Sequence, residues 1–204
     1  MPGQSHPAVC PVNETPSERE TVLDRLFRRR REARAAAEFF AKIVDQARQP
    51  GFYRDLGVPD TLDGRFDMVA LHVFLVMRRL KGQGAAAADR SRALYETMID
   101  NFEKSLMEMG VGDTGIGRRI KTIARAMAGR IQVYDAALAA DDDRPLEVAL
   151  DNNVYGTVAE VDPAWLAAMV AYVRREAASL DRQPLESLLA GDIHFGEPPA
   201  AHPE

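Results

Sequence analysis

Apolar residues along this chain recur at three- and four-residue intervals, the signature of helices with one buried face. The first such run carries Leu23, Leu26, Phe27, Ala33, Ala37, Phe40, Val44 and Ala47. Ser17 and Glu20, at capping-box spacing, predict its start, and Pro50-Gly51 its end. A second helix is predicted from about Arg65 to Lys81, with Asp63 as its cap. Phe66, Val69, Leu71, Val73, Phe74, Leu75, Val76, Met77 and Leu80 cover most of its circumference. A helix apolar nearly all round belongs at the centre of a bundle. A third helix is predicted from about Asp89 to Met109, striped by Leu94, Met98, Phe102, Leu106 and Met109. A fourth runs from about Ile116 to Ala140, with Ile120, Ile123, Met127, Ile131, Tyr134 and Leu138 in register. Pro145 opens a short helix ending near Asn153. Asp162-Pro163 opens another, with Trp165, Leu166, Met169, Val170 and Val173 inward, and residues 184–190 add one more turn.

No segment alternates with period two, and no repeat has solenoid spacing. The expectation is an all-α fold: a single-domain antiparallel helical bundle with flexible termini. Residues 1–16, with four prolines, are read as a flexible lead. Residues 17–190 form the helical domain, and 191–204, rich in proline, a frayed tail. The stretch 52–64 between the first two helices is unusually apolar for a connector. Loops lie on surfaces, so it either packs down as a clamp or offers its side chains to a partner.

Bulk numbers narrow the function little. The 204 residues are 46% hydrophobic and 28% charged, enough for a sizeable core. Twenty-six basic against 31 acidic residues give a net charge of −5, which argues against DNA or general nucleic-acid binding by bulk charge. The single cysteine, Cys10, builds neither a disulfide nor a cysteine zinc site. Met68 to Met77, the longest apolar run, is too short to span a membrane. The first residues lack a secretory signal pattern, and the acids at Glu14, Glu18, Glu20 and Asp24 are wrong for a transit peptide.

Catalytic chemistry finds no foothold. The glycine-rich stretch Gly110–Gly117 lacks the Lys-Ser/Thr of a phosphate loop and follows a helix, so it reads as a turn with Asp113 or Thr114 as the next cap. An anion or partner contact using Arg118, Arg119 and Lys121, with Asp113 in a partner contact, is the alternative there. The four histidines, His6, His72, His194 and His202, have no metal-ligand spacing. His72 reads as a hydrogen-bonded core residue. The carboxylate pairs Asp60/Asp63 and Asp63/Asp67 read as turn and cap residues. No enzyme, no cofactor and no metal site is expected. The strongest charge feature is the run Arg28, Arg29, Arg30, Arg31 with Arg34. It is either a solvated helix face or an attachment to phosphate-bearing surfaces, membrane or ribosome, with Phe27 and Phe39-Phe40 nearby.

Three blocks, in order, carry a resemblance. They are Phe52-Tyr-Arg-Asp-Leu-Gly-Val-Pro-Asp-Thr-Leu-Asp-Gly-Arg-Phe-Asp67, continuing through Leu71 to Leu80; Asn101 to Lys121; and the weaker pair Gly129–Asp135 and Asn153–Gly156. Together, over about residues 45–156, they resemble the ubiquinol–cytochrome c chaperone family in its bacterial branch. One departure is Phe39-Phe40 where relatives tend to have Leu-Tyr. The resemblance implies a chaperone that binds newly made cytochrome b and assists assembly of the ubiquinol–cytochrome c reductase complex. It also implies a cytoplasmic protein peripheral to the inner membrane, or one of the mitochondrial matrix if eukaryotic. The mitochondrial branch adds a small partner protein and the ribosomal exit. A helper for so apolar a client needs an open apolar groove. Phe52, Tyr53, Leu56, Val58, Phe66 and Phe74 are its expected client-binding lining, with Met98, Met107 and Met109 as adaptable contacts. The alternative is a peripheral membrane- or ribosome-binding helical adaptor without chaperone activity.

Overall fold

The computed structural model describes residues 22–108, 110 and 112–199; the side chains of 22–26, 28, 29, 113 and 114 lie outside the description. The expected lead 1–16, the Ser17/Glu20 cap, Cys10, His6 and His202 therefore fall outside the described residues, as does Met109.

Among the described residues there are eight helices and no strand: α1 Val22–Ala47, α2 Pro50–Arg54, α3 Leu62–Leu80, α4 Ala85–Glu108, α5 Asp113–Ala139, α6 Arg144–Asn153, α7 Pro163–Arg182 and α8 Leu185–Ala190. The centre is α3, which packs on α1, α4, α5 and α7. Every residue from Met68 to Val76 is buried, as an all-round apolar helix requires. Short turns fold α4 back on α3 and α5 back on α4. Gly82, Gly84 and Gly110 take positive φ there, a backbone region closed to most side chains. The fourth and fifth helices bury one stripe each; α6 packs on α5 and α7, α7 on α3, and α8 on α4. Arg90 of α4 holds α8 by donating to the Leu189 carbonyl.

Several boundaries differ from the sequence pattern. Pro50 starts a separate short helix, so the expected connector 52–64 shrinks to a bend at 55–61. The third helix begins at Leu62, capped by Thr61 rather than Asp63; the Thr61 hydroxyl accepts from the Gly64 amide at 3.1 Å. A Cβ on Gly64 would stand 2.0 Å from the Pro59 carbonyl oxygen, so only glycine lets the bend return so tightly onto α3. Gly112, not Asp113 or Thr114, caps α5.

The bend is sealed. Phe52 and Leu56 are fully buried and Val58 nearly so. The backbone groups of this buried loop find partners: the Val58 amide donates to the Phe52 carbonyl at 3.1 Å, and the Tyr155 hydroxyl donates to the Leu56 carbonyl at 2.9 Å. Trp165 packs against Gly57, where a Cβ would be 2.2 Å from the ring. Of the two readings open for this connector, the clamp is what forms.

The C-terminal segment also departs from expectation. Residues 192–199 are not a frayed tail but an extended strap over α1, α3 and α7, with Ile193 buried and Phe195 edge-on to His72 at 5.3 Å. Beneath it His72 is fully buried. Its Nδ1 donates to the Met68 carbonyl, and its Nε2 accepts from the Tyr172 hydroxyl, each at 2.7 Å. Burial pushes its pKa down to about 4, against the opposing pull of the Met68 bond.

Candidate functional site

The expected client lining does not survive as a group. Phe52, Leu56, Val58 and Phe74 are core residues, each at most 2% exposed, and Met98 is fully buried. The physical reason is that the bend's apolar residues face their own bundle. The α6–α7 connection and Trp165 cover them before any partner arrives. Tyr53 is half-buried and donates to the Ala47 carbonyl at 2.8 Å. Burial raises its pKa to about 12.

Phe66 is different. It faces a groove of about 490 Å³ formed by the start of α3, the end of α4 and the first half of α5. Leu62, Phe66, Phe102, Leu106, Ile123 and Ala126 supply its apolar lining. Phe66 and Phe102 meet edge to face, 4.6 Å between centroids. Leu62 is 46% exposed, and Met107, one residue beyond Leu106, is 52% exposed. The groove exists because α5's apolar stripe is only half covered. Met127 and Tyr134 are buried, while Ile120, Ile123 and Ile131 remain partly open.

One wall of the groove is an ion pair. Arg130 donates to Asp67 at 2.5 Å, each side chain about one-sixth exposed, and its guanidinium lies over the Phe66 ring at 5.2 Å. Burial pushes the Asp67 carboxyl up to about 7; Arg130 opposes this and Asp63 adds to it. At the groove's rim Arg118 and Arg119 are exposed and, among the described residues, have no ion-pair partner. The structure thus brings Phe66, Arg118 and Arg119 together, although sequence reasoning had placed them in separate groups. Asp113 belongs to the first turn of α5, but its side chain lies outside the description. Leu62, Phe102, Leu106 and Ile123 were missed as lining: Leu62 fell in the expected connector, and the other three at stripe positions, which read as core unless the neighbouring helices are known.

Two other depressions lie elsewhere on the bundle. Alanines 33, 37, 41 and 93 floor a wider trough of about 720 Å³ between α1 and α4, rimmed by Asp45, Glu96, Asp100 and Lys104. Alanine offers little area to bury. A groove between α3, α4 and α5 with Met77, Tyr95 and Ile131 has Phe74 only as a sealed floor. Arg30 and Arg31 are exposed on the first half of α1, Arg34 pairs with Glu38 at 2.8 Å, and Phe27 is 63% exposed. Arg28 and Arg29 share that helix, their side chains outside the description. Among the described residues no group of three or more histidines, cysteines or carboxylates stands ready for a metal ion, and no helix is long and apolar enough to cross a membrane.

The sequence profile described as ubiquinol-cytochrome C chaperone matches residues 54–195. The chain belongs to the ubiquinol–cytochrome c chaperone family. This family consists of chaperones, not enzymes. The match begins just before the bend and ends within the strap at Phe195, well past the 156 at which the resemblance was read. In this family's solved structures, the crystal structure of the Cbp3 homolog from Brucella abortus superposes with a TM-score of 0.74. It is 34% identical and is matched over 86% of this chain and 97% of its own. The ubiquinol-cytochrome-c reductase complex assembly factor 1 of Xenopus laevis is 28% identical over 155 residues, 76% of each chain. The Homo sapiens factor of that name is 26% identical over 162 residues. There the match spans 79% of this chain but only 54% of the human one.

Proposed function

We propose that this chaperone holds newly made cytochrome b during assembly of the ubiquinol–cytochrome c reductase complex, and that the groove between α3, α4 and α5 is where an apolar client segment rests. The observation carrying this reading is the groove itself: aromatic and aliphatic walls left open between packed helices, with two exposed arginines at the rim. Family membership and the names of the relatives support the assembly role. A segment presenting side chains at i, i+3 or i+4 and i+7 lays its apolar face into such a groove, and the rim charges orient it. Burying a few side chains there gives modest affinity, which suits a helper that must release its client. Cytoplasmic or matrix placement beside the inner membrane fits the same reading.

Leu62→Asp tests the site. Leu62 is nearly half exposed, so the variant is expected to melt within a few degrees of the parent. An apolar anchor at the centre of a contact is worth about 2 kcal/mol, so recovery of cytochrome b with the tagged protein from solubilised membranes should fall at least about tenfold. Undiminished recovery would remove the groove from the mechanism. In the same strain background, deleting the chain should lower the reductase complex while other respiratory complexes persist.

The exposed Phe27, Arg30 and Arg31 on α1 favour a second reading, an adaptor for an anionic membrane surface or ribosome without client capture. Replacing Arg28–Arg31 and Arg34 by glutamine should then abolish co-sedimentation with anionic vesicles or ribosomes. Unchanged co-sedimentation makes the run a solvated face. Whether the small partner protein of the mitochondrial branch has a counterpart here is part of the same pull-down.

A further inference from the structure

The strap 192–199 is held in an unusual way. It has no helix or sheet of its own, and side chains of the bundle read its main chain. The Gln183 amide donates to the His194 carbonyl at 2.7 Å and accepts from the His194 amide at 3.1 Å, as a neighbouring strand would. Gln46 donates to the Gly196 carbonyl at 2.8 Å, and Glu176 accepts from the Gly196 amide at 2.9 Å. Arg175 donates to the Glu197 carbonyl at 2.6 Å. Such contacts belong to any chain in that extended form, whichever molecule supplies it.

The cleft is also built for an occupant. Glu176 is 1% exposed, and its Oε2 oxygen has the Gly196 amide as its partner, while Oε1 takes Arg175. The strap is thus what covers this carboxylate oxygen and supplies its main-chain donor. Side-chain demands are equally specific. Ile193 is buried and Phe195 sits edge-on to His72. A Cβ on Gly196 would fall 2.8 Å from Glu176 Oε1 and 3.0 Å from Arg175 Nη2. Pro198 closes on Gly51, where a Cβ would meet it at 2.9 Å. The segment enters through Gly191 at φ +85°, a hinge at the end of α8.

We infer that the cleft between α1, α3 and α7 is a peptide-binding site for an extended segment of the pattern apolar–x–aromatic–Gly–x–Pro, occupied in cis by residues 192–199 and open to a partner's segment of the same pattern in exchange. The inference is independent of the groove at α5. Displacing the strap removes the ring that covers the His72 face of the bundle, so occupancy by a partner is coupled to the same aromatic cluster of Phe52, His72 and Tyr172.

The test uses the full chain and a fluorescently labelled peptide of residues 192–199, read by anisotropy. Gly196→Ala places a methyl group against Glu176 and Arg175 and weakens the seating of the cis strap while leaving the helices' own packing residues unchanged. This variant is expected to bind the peptide at least about tenfold more tightly than the parent, because its internal competitor is weakened. Phe195→Ala should shift affinity in the same direction. A peptide that itself carries Gly196→Ala should not compete. Three results overturn the inference: peptide affinity equal in parent and both variants, an altered peptide that competes as well as the native one, or loss of the fold in both variants. The last would make the strap part of the core rather than a ligand.

Discussion

Leu56→Asp is expected to leave the chain without a cooperative fold, and Val58→Asp to do nearly the same. Leu56 is fully buried in a loop whose carbonyl is bonded by Tyr155 and whose next residue is pinned under Trp165. Removing the leucine side chain forfeits about 2–3 kcal/mol of burial. Inserting a carboxyl without partners costs several kcal/mol more, even if it neutralises itself by taking up a proton. Domains of this size are stable by about 5–15 kcal/mol in total. The measurement is a thermal melt followed by circular dichroism, with Leu62→Asp as the exposed control. If Leu56→Asp melts within a few degrees of the parent, the bend opens in solution and the sealed arrangement is not what the client meets.

Acid should destabilise the protein through His72, and Asp67 should offset that effect. The native His72 titrates near 4, whereas an unfolded chain titrates near 6.5. Between these values the unfolded state binds the extra proton. Its contribution is therefore complete above pH 6.5 and is lost as pH falls towards 4, by about 3 kcal/mol over the whole window. Asp67 runs the other way. Its native carboxyl is raised to about 7, so between about 4 and 7 the folded state holds the extra proton and acidification stabilises it. The parent's dependence between pH 7 and pH 4 is a difference of the two. In Asp67→Asn the opposing contribution is gone. Urea unfolding at pH 7 and pH 4.5 should then show a clear loss on acidification in the variant and little or none in the parent. An equal loss in both would mean that the Asp67–Arg130 pair keeps the carboxylate ionised across the window.

The element pattern was legible because helical periodicity is a local property. The all-round apolar character of Val69–Leu80 placed α3 at the centre, and Pro145 and Asp162-Pro163 placed the starts of α6 and α7. Boundaries moved where a local alternative won. Pro50 opened its own turn, and the Thr61 hydroxyl reached the Gly64 amide before Asp63 could act as cap. His72 was legible as a hydrogen-bonded core residue, because a lone imidazole on an apolar face must find partners inside.

The site was only partly legible. Phe66, Arg118 and Arg119 were identified singly, but their meeting across α3 and α5 depends on how far α4 extends past the groove. The apolar residues 52–58 looked available because sequence carries no record of what covers a loop; Tyr155 and Trp165, about a hundred residues away, decide that. The strap shows the same limit more sharply. Proline-rich composition spoke for a loose end, while buried Glu176, twenty residues back, and half-buried Gln46, 150 residues back, supply bonds that hold it. What this sequence determined alone was its family, its helices and which helix lies in the middle, since each rests on residues near one another in the chain. Which apolar side chains stay open to a client was decided only by tertiary packing, because exposure is set by neighbours that sequence distance does not reveal.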